Sequence, residues 1–111
     1  MAQDKLDVLQ GTLDLLILRT LQWGPQHGHG IGQVIRAKSD DLLQLEHGSL
    51  YPALHRLRRA GLIDSEWGVT ENNQRAKFYR LRPAGKRRLS VEESKWNLFV
   101  KTVAKVLRPQ E

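Results

Sequence analysis

Cysteine is absent from this chain of 111 residues, which excludes disulfide staples, thiolate zinc sites, iron–sulfur clusters and cysteine nucleophiles together. The fold must therefore be held by burial alone, or by burial plus oligomerisation. Aromatic residues make up only 6% of the chain. Long hydrophobic runs are missing as well. The longest, Leu13 to Leu18, contains Asp14 and ends at Arg19, far short of the ~20 residues a membrane helix needs. Met1 to Gln10 carry Asp4, Lys5 and Asp7 where a secretion signal would have an apolar run. The expectation is a cytoplasmic protein with no membrane partner. Catalytic signatures are lacking too. There is no G-x-S-x-G elbow, P-loop, dinucleotide fingerprint or H-E-x-x-H, and the acidic residues form no paired constellation. The histidines are His27, His29, His47 and His55, and His27-Gly28-His29 lies in a glycine loop without nearby carboxylates. No enzyme activity, metal or cofactor is expected.

What the chain does have is positive charge. Lys and Arg number 18 against 12 Asp and Glu, a net of +6 with pI about 10.1. An excess of this kind points to an acidic partner, nucleic acid first and a membrane surface second. With 40% hydrophobic and 27% charged residues, the composition suits one globular domain with a modest core. The charge is unevenly placed. Residues 1–47 carry a net of −2, residues 48–91 hold ten basic and three acidic side chains for +7, and residues 92–111 carry +1.

Apolar spacing predicts the elements. Leu6, Leu9, Leu13, Leu16, Ile17 and Leu21 recur at helical steps, an amphipathic helix from Leu6 or Thr12 to Gln22 that Trp23-Gly24-Pro25 stops. After a glycine loop, a second helix spans about Ile31 to Lys38. A third follows Gly48, with Ser49 as N-cap, Pro52 in the first turn, and Gly61 as the C′ residue. Leu62 to Val69 and Ala76 to Leu81 read as a β-hairpin around the polar loop Thr70 to Arg75, with Ile63 and Trp67 on one parity. The last helix runs from Pro83 to Leu107, and the missing N–H of Pro83 suits its first position. The fold class is mainly α with a small β-hairpin. It describes a winged helix-turn-helix (residues 1–82) plus a long C-terminal dimerisation helix (residues 83–111), together one structural unit.

In that fold the third helix reads DNA, and flanking groups hold phosphates. At about 100° per residue, Leu50, Leu54 and Leu57 face the core, leaving Pro52, His55, Arg56 and Arg59 opposite and Tyr51 at the flank. Ser49 with the free N–H groups of the first turn is a phosphate candidate. Tyr51 is a candidate for a phosphate or base-edge contact, or for filling the gap between the second and third helices. The wing adds Arg75 and Lys77. Asn72, Asn73 and Gln74 fit turn chemistry or hydrogen bonds to DNA. For Arg80, Arg82 and Lys86-Arg87-Arg88, phosphate contact and simple solvation stay open.

These segments resemble the PadR family of bacterial transcriptional regulators, in its short subgroup with a single C-terminal helix. The resemblance is carried by Gly48-Ser49-Leu50-Tyr51-Pro52-Ala53-Leu54-His55-Arg56-Leu57, by Gly61-Leu62-Ile63, and by Trp67-Gly68 with the wing from Glu71 to Leu81. Gly11-Thr12-Leu13 and Gly30-Ile31 are similar to the family's N-terminal helix and turn, and Gly85 and Leu89 match the segment after the wing, so the resemblance covers almost the whole chain, most specifically residues 48–89. The resemblance implies a dimer on operator DNA, usually a repressor, with Ser49 and Tyr51 on recognition-helix positions and Arg75, Lys77 and Tyr79 on the wing. Two departures stand out. His29 replaces a customary Tyr, and Arg82-Pro83 replaces a customary Thr after Leu81, removing an N-cap from the last helix.

That last helix carries Leu89, Trp96, Phe99, Val100, Val103, Val106 and Leu107, a stripe with seven-residue repeats. One short first helix cannot hide all of it, so a homodimer interface is expected. Trp96 is either a packed core residue or, as the resemblance implies from effector-binding members of the family, one half of a clamp for a small, planar aromatic effector. The functional expectation is a sequence-specific, double-stranded-DNA-binding regulator, a homodimeric repressor on a palindromic operator. The alternative is a winged-helix interaction module for an acidic protein partner.

Overall fold

The computed structural model describes residues 6–7, 11–45 and 47–109. Its elements are β1 (Leu6–Asp7), α1 (Thr12–Gln22), β2 (Gln26–His27), α2 (Gly28–Lys38), β3 (Leu43–Gln44), α3 (His47–Arg59), β4 (Ile63–Val69), β5 (Arg75–Leu81) and α4 (Pro83–Leu107). The expected order of three helices, a hairpin and a long helix is present. The core joins Ile17, Leu18 and Leu21 of α1, Ile31 and Ile35 of α2, and Leu50, Ala53, Leu54 and Leu57 of α3. Leu62, Ile63, Tyr79 and Leu89 complete it. Helices α1, α2 and α3 thus bury the stripes that their spacing announced, whereas α4 contributes only Leu89.

Two boundaries differ from expectation, and a third is decided between two alternatives. Of the starts Leu6 and Thr12 for the first helix, Thr12 is the one adopted, because Gly11 at φ 88° stands at its N-cap and Leu6–Asp7 pair in parallel with Leu43–Gln44. Leu9 lies outside the described residues. Helix α2 begins three residues early, at Gly28, because the His27 ring supplies the cap: its Nδ1 accepts from the Gly30 N–H at 3.0 Å. Helix α3 begins at His47, since Gly48 is not among the glycines at positive φ and the helix runs through it. Ser49 is therefore the third residue of α3 and not its cap. Pro52 is the sixth, where its missing N–H leaves Gly48 without the usual helical donor.

The end of α3 follows the expected pattern. Gly61 adopts φ 76°, and its N–H donates to Arg58 at 3.0 Å while that of Leu62 donates to Leu57 at 3.1 Å. This paired capping closes the helix with a left-handed residue that glycine adopts without strain. The hairpin has Ile63 opposite Leu81 and Val69 opposite Arg75. The two-residue strand β2 adds to its free side, Gln26 opposite Tyr79 and His27 opposite Phe78, giving the sheet order β2-β5-β4. The loop is shaped by Asn73 at φ 61° and by Thr70, whose N–H donates to Gln74 at 2.8 Å and whose carbonyl accepts from Asn73 at 2.9 Å. Turn chemistry thus accounts for Asn73.

Helix α4 starts at Pro83, with Arg82 at its N-cap contributing no side-chain bond. Its start is fixed instead by backbone contact. The Arg82 N–H donates to the Leu62 carbonyl at 3.0 Å, and a Cβ added to Gly85 would sit 2.1 Å from that same oxygen. Gly85 is there because the helix meets a backbone at that point.

Candidate nucleic-acid interface

The outward side of α3 presents Ser49, Tyr51, Pro52, His55, Arg56, Arg58 and Arg59, all exposed. Tyr51, 48% exposed, leans over the start of α2: a Cβ on Gly28 would come within 2.7 Å of its ring and 2.9 Å of its hydroxyl. Of the expectations for Tyr51, the packing one is observed: the ring is seated against the start of α2, and the rest of it is exposed.

Across from Tyr51 stands the wing. In the hairpin register, Ile63/Leu81, Ser65/Tyr79, Trp67/Lys77 and Val69/Arg75 pair on one face. Near the helices this face is core. Further out it leaves the helices, and Trp67, Lys77, Val69 and Arg75 are exposed. Between wing and helices lies an open concavity of about 610 Å³ whose lining includes Gln26, His29, Tyr51, Trp67, Arg75 and Lys77. Its walls are thus the starts of α2 and α3 on one side and the cationic wing on the other. The Arg75 guanidinium lies 4.7 Å from the Trp67 ring centre and the Lys77 ammonium 5.6 Å from it, both within cation–π range.

Four expected residues are placed differently. Tyr79 is 9% exposed and belongs to the core, because its position pairs with Ser65 where the sheet still rests on the helices. Burial raises its pKa, as does the neighbouring Tyr51, against a lowering by Arg58. The hydroxyl stays neutral, and Tyr79 supports the floor of the concavity. Arg56, expected to point away from the protein, is held by Asp14 of α1 at 2.5 Å. Ser49 is displaced from the cap, as described. Leu89, assigned to the dimer stripe, is 2% exposed and packs within its own chain. Arg80 lies on the other face of the wing, bonded to Asp64 at 3.1 Å.

The reading by spacing missed two side chains. Arg58 is seven residues from Tyr51 and four from Leu54, so its helical position sits at the edge of the outward face. Its charge reaches Tyr79 under the wing. Trp67 shares the parity of Ile63, which reads as a core position. Only the hairpin register, setting Trp67 opposite Lys77, reveals its cationic neighbours.

Apart from Trp23 after α1, the remaining exposed large apolar side chains among the described residues lie on α4. Phe99, Val100, Val106 and Leu107 are exposed, while Trp96 and Val103 are partly buried. Trp96 and Phe99, with ring centres 6.2 Å apart, line a second concavity of about 320 Å³ with Gly11, Thr12, Leu15 and the Glu92–Lys95 turn. Arg19 of α1 pairs with Glu93 of α4 beside it. Among the described residues, no group of His, Asp and Glu could hold a metal ion, and no helix is long and apolar enough to cross a membrane.

Comparison with known proteins gives a consistent result. The family described as transcriptional regulator PadR-like matches residues 17–91. A transcriptional regulator from Clostridium thermocellum is 33% identical, with a TM-score of 0.82, covering 91% of this chain and 98% of its own. A PadR family transcriptional regulator from Eggerthella lenta is 31% identical, with a TM-score of 0.76 and coverage of 91% and 86%. A PadR family transcription regulator from Clostridium difficile is 28% identical, with a TM-score of 0.76 and coverage of 88% and 100%.

Proposed function

Because the chain belongs to the PadR-like family of transcriptional regulators, a family of DNA-binding proteins and not of enzymes, we propose that it acts as a homodimeric repressor on a palindromic operator. The observation that carries this reading is the concavity between α3 and the wing, with Tyr51 on one wall and Arg75 and Lys77 on the other. The N-terminal part of α3 enters a major groove, where Tyr51 and His55 meet base edges. Ser49, Arg58 and Arg59 hold the adjoining phosphates, and Arg75 and Lys77 of the wing follow the backbone. The homodimer uses the exposed apolar face of α4, from Trp96 to Leu107. A two-fold axis there buries both copies with one patch and sets two recognition helices for half-sites about one DNA turn, roughly 34 Å, apart. Occupying such a site blocks transcription.

The test is a titration of duplex carrying the upstream region of the protein's own gene against random duplex, at ~150 mM salt. Tight binding to the first and weak binding to the second is expected. Equal binding would redirect the basic face to an acidic protein partner. Tyr51→Ala is expected to erode the difference between the duplexes. Arg75→Ala is expected to weaken both and reduce the salt slope by about one.

An effector response is a second reading, favoured by the concavity beside Trp96 and Phe99. Planar aromatic compounds should then quench tryptophan fluorescence in the wild type and fail to do so in Trp96→Ala.

A further inference from the structure

Trp67 is 57% exposed on the outer half of β4, whereas Ile63, on the same face of the same strand, is 1% exposed. The ring takes no part in core packing, and its neighbours are cations. Lys77 is its direct cross-strand partner and Arg75 the next residue on that face, and both cations lie over the indole at 5.6 Å and 4.7 Å. The ion pairs among the described residues engage Arg19, Arg56, Arg80 and Lys95, and neither Arg75 nor Lys77 takes part in them. Two like charges on adjacent positions repel, and both side chains have many rotamers to lose on binding a phosphate. The negative face of an indole attracts both without neutralising either. A carboxylate in its place would hold them equally well but would cancel the charge that the backbone recognises, as Asp14 does for Arg56.

We infer that Trp67 is a positioning residue for the DNA backbone: its ring holds Arg75 and Lys77 aimed into the concavity opposite Tyr51, setting the wing's affinity for phosphate without reading base sequence. This rests on the concavity being the DNA interface. The ring acts through the two cations, so its contribution must vanish when they are gone.

The experiment compares wild type, Trp67→Ala, Trp67→Phe, Arg75→Ala/Lys77→Ala and the triple variant, by anisotropy of a labelled duplex over a range of salt. Trp67→Ala is expected to weaken binding about tenfold and Trp67→Phe about threefold, in the order of ring–cation strength. The salt slope of Trp67→Ala should match that of wild type, because both charges remain, whereas the double variant should flatten it by about two. Adding Trp67→Ala to the double variant should cost less than a further twofold. A full tenfold further loss in the triple variant overturns the inference, since Trp67 would then act on DNA directly. Unchanged affinity of a folded Trp67→Ala protein overturns it as well. Wild type failing to bind any duplex would instead refute the concavity as a DNA interface, and the role of Trp67 with it.

Discussion

Helices α3 and α4 both carry an apolar stripe at helical spacing, and they end in opposite conditions. In α3 the stripe of Leu50, Ala53, Leu54 and Leu57 is buried entirely within the chain. In α4 the only large buried side chain is Leu89, near its start, while Val106 and Leu107 near its end are 81% and 75% exposed. Helix α3 is flanked by α1, α2 and the hairpin, so every apolar position meets a neighbour. Helix α4 leaves the core after its first turns, and its 25 residues are too long for α1 to cover. Period reports that a stripe exists, and the length of the adjoining element decides whether its own chain can cover it.

Five substitutions break or sharpen this contrast. The largest effect is expected from Leu54→Ala, a fully buried position, which should cost about 3 kcal/mol of unfolding free energy in a denaturant titration. A comparable truncation on the exposed end of α4, Leu107→Ala, should cost far less in the same measurement at low protein concentration. Next, Val103→Glu should leave the helical circular dichroism of each subunit intact yet raise the dissociation constant of the proposed dimer about a hundredfold, about 2.7 kcal/mol, by placing a charge in each half of the proposed interface. Light scattering that still gives a dimer would remove α4 from the interface. Gly85→Ala tests the junction of the two regions. The added methyl group meets the Leu62 carbonyl, and about 2 kcal/mol of stability should be lost through displacement of α4. The smallest effect belongs to Asp14→Asn. It releases Arg56 from an exposed pair worth under about 1 kcal/mol, so thermal stability should hardly change. DNA affinity should rise about threefold with a steeper salt slope as Arg56 becomes available to phosphate.

Much of the fold was legible in the sequence because its signals are local. Gly61 closes α3 as its position implied, and Pro83 opens α4. The hairpin follows from alternation interrupted by a polar loop. Strands β1, β2 and β3 were not legible, since two residues carry no period. The start of α2 was missed because its cap is a histidine ring, an uncommon acceptor for that task. Site residues divide the same way. Tyr51, Arg75 and Lys77 stand where α3 and the wing were expected to carry them. Arg56 stands on the outward face but is engaged by Asp14, and Tyr79 is buried, because a partner on α1 and the depth of one sheet position are facts about packing.

The sequence by itself determined that positive charge concentrates in residues 48–91, that no covalent staple is available, and that the helices carry apolar faces. These depend on residue identity and on spacing within one element. Tertiary structure alone decided which cations are free and which are engaged, that Tyr51 rests on Gly28, and that Trp67 lies under Arg75 and Lys77. Those relations join residues on different elements, and their distances are fixed only once register and packing have brought the elements together.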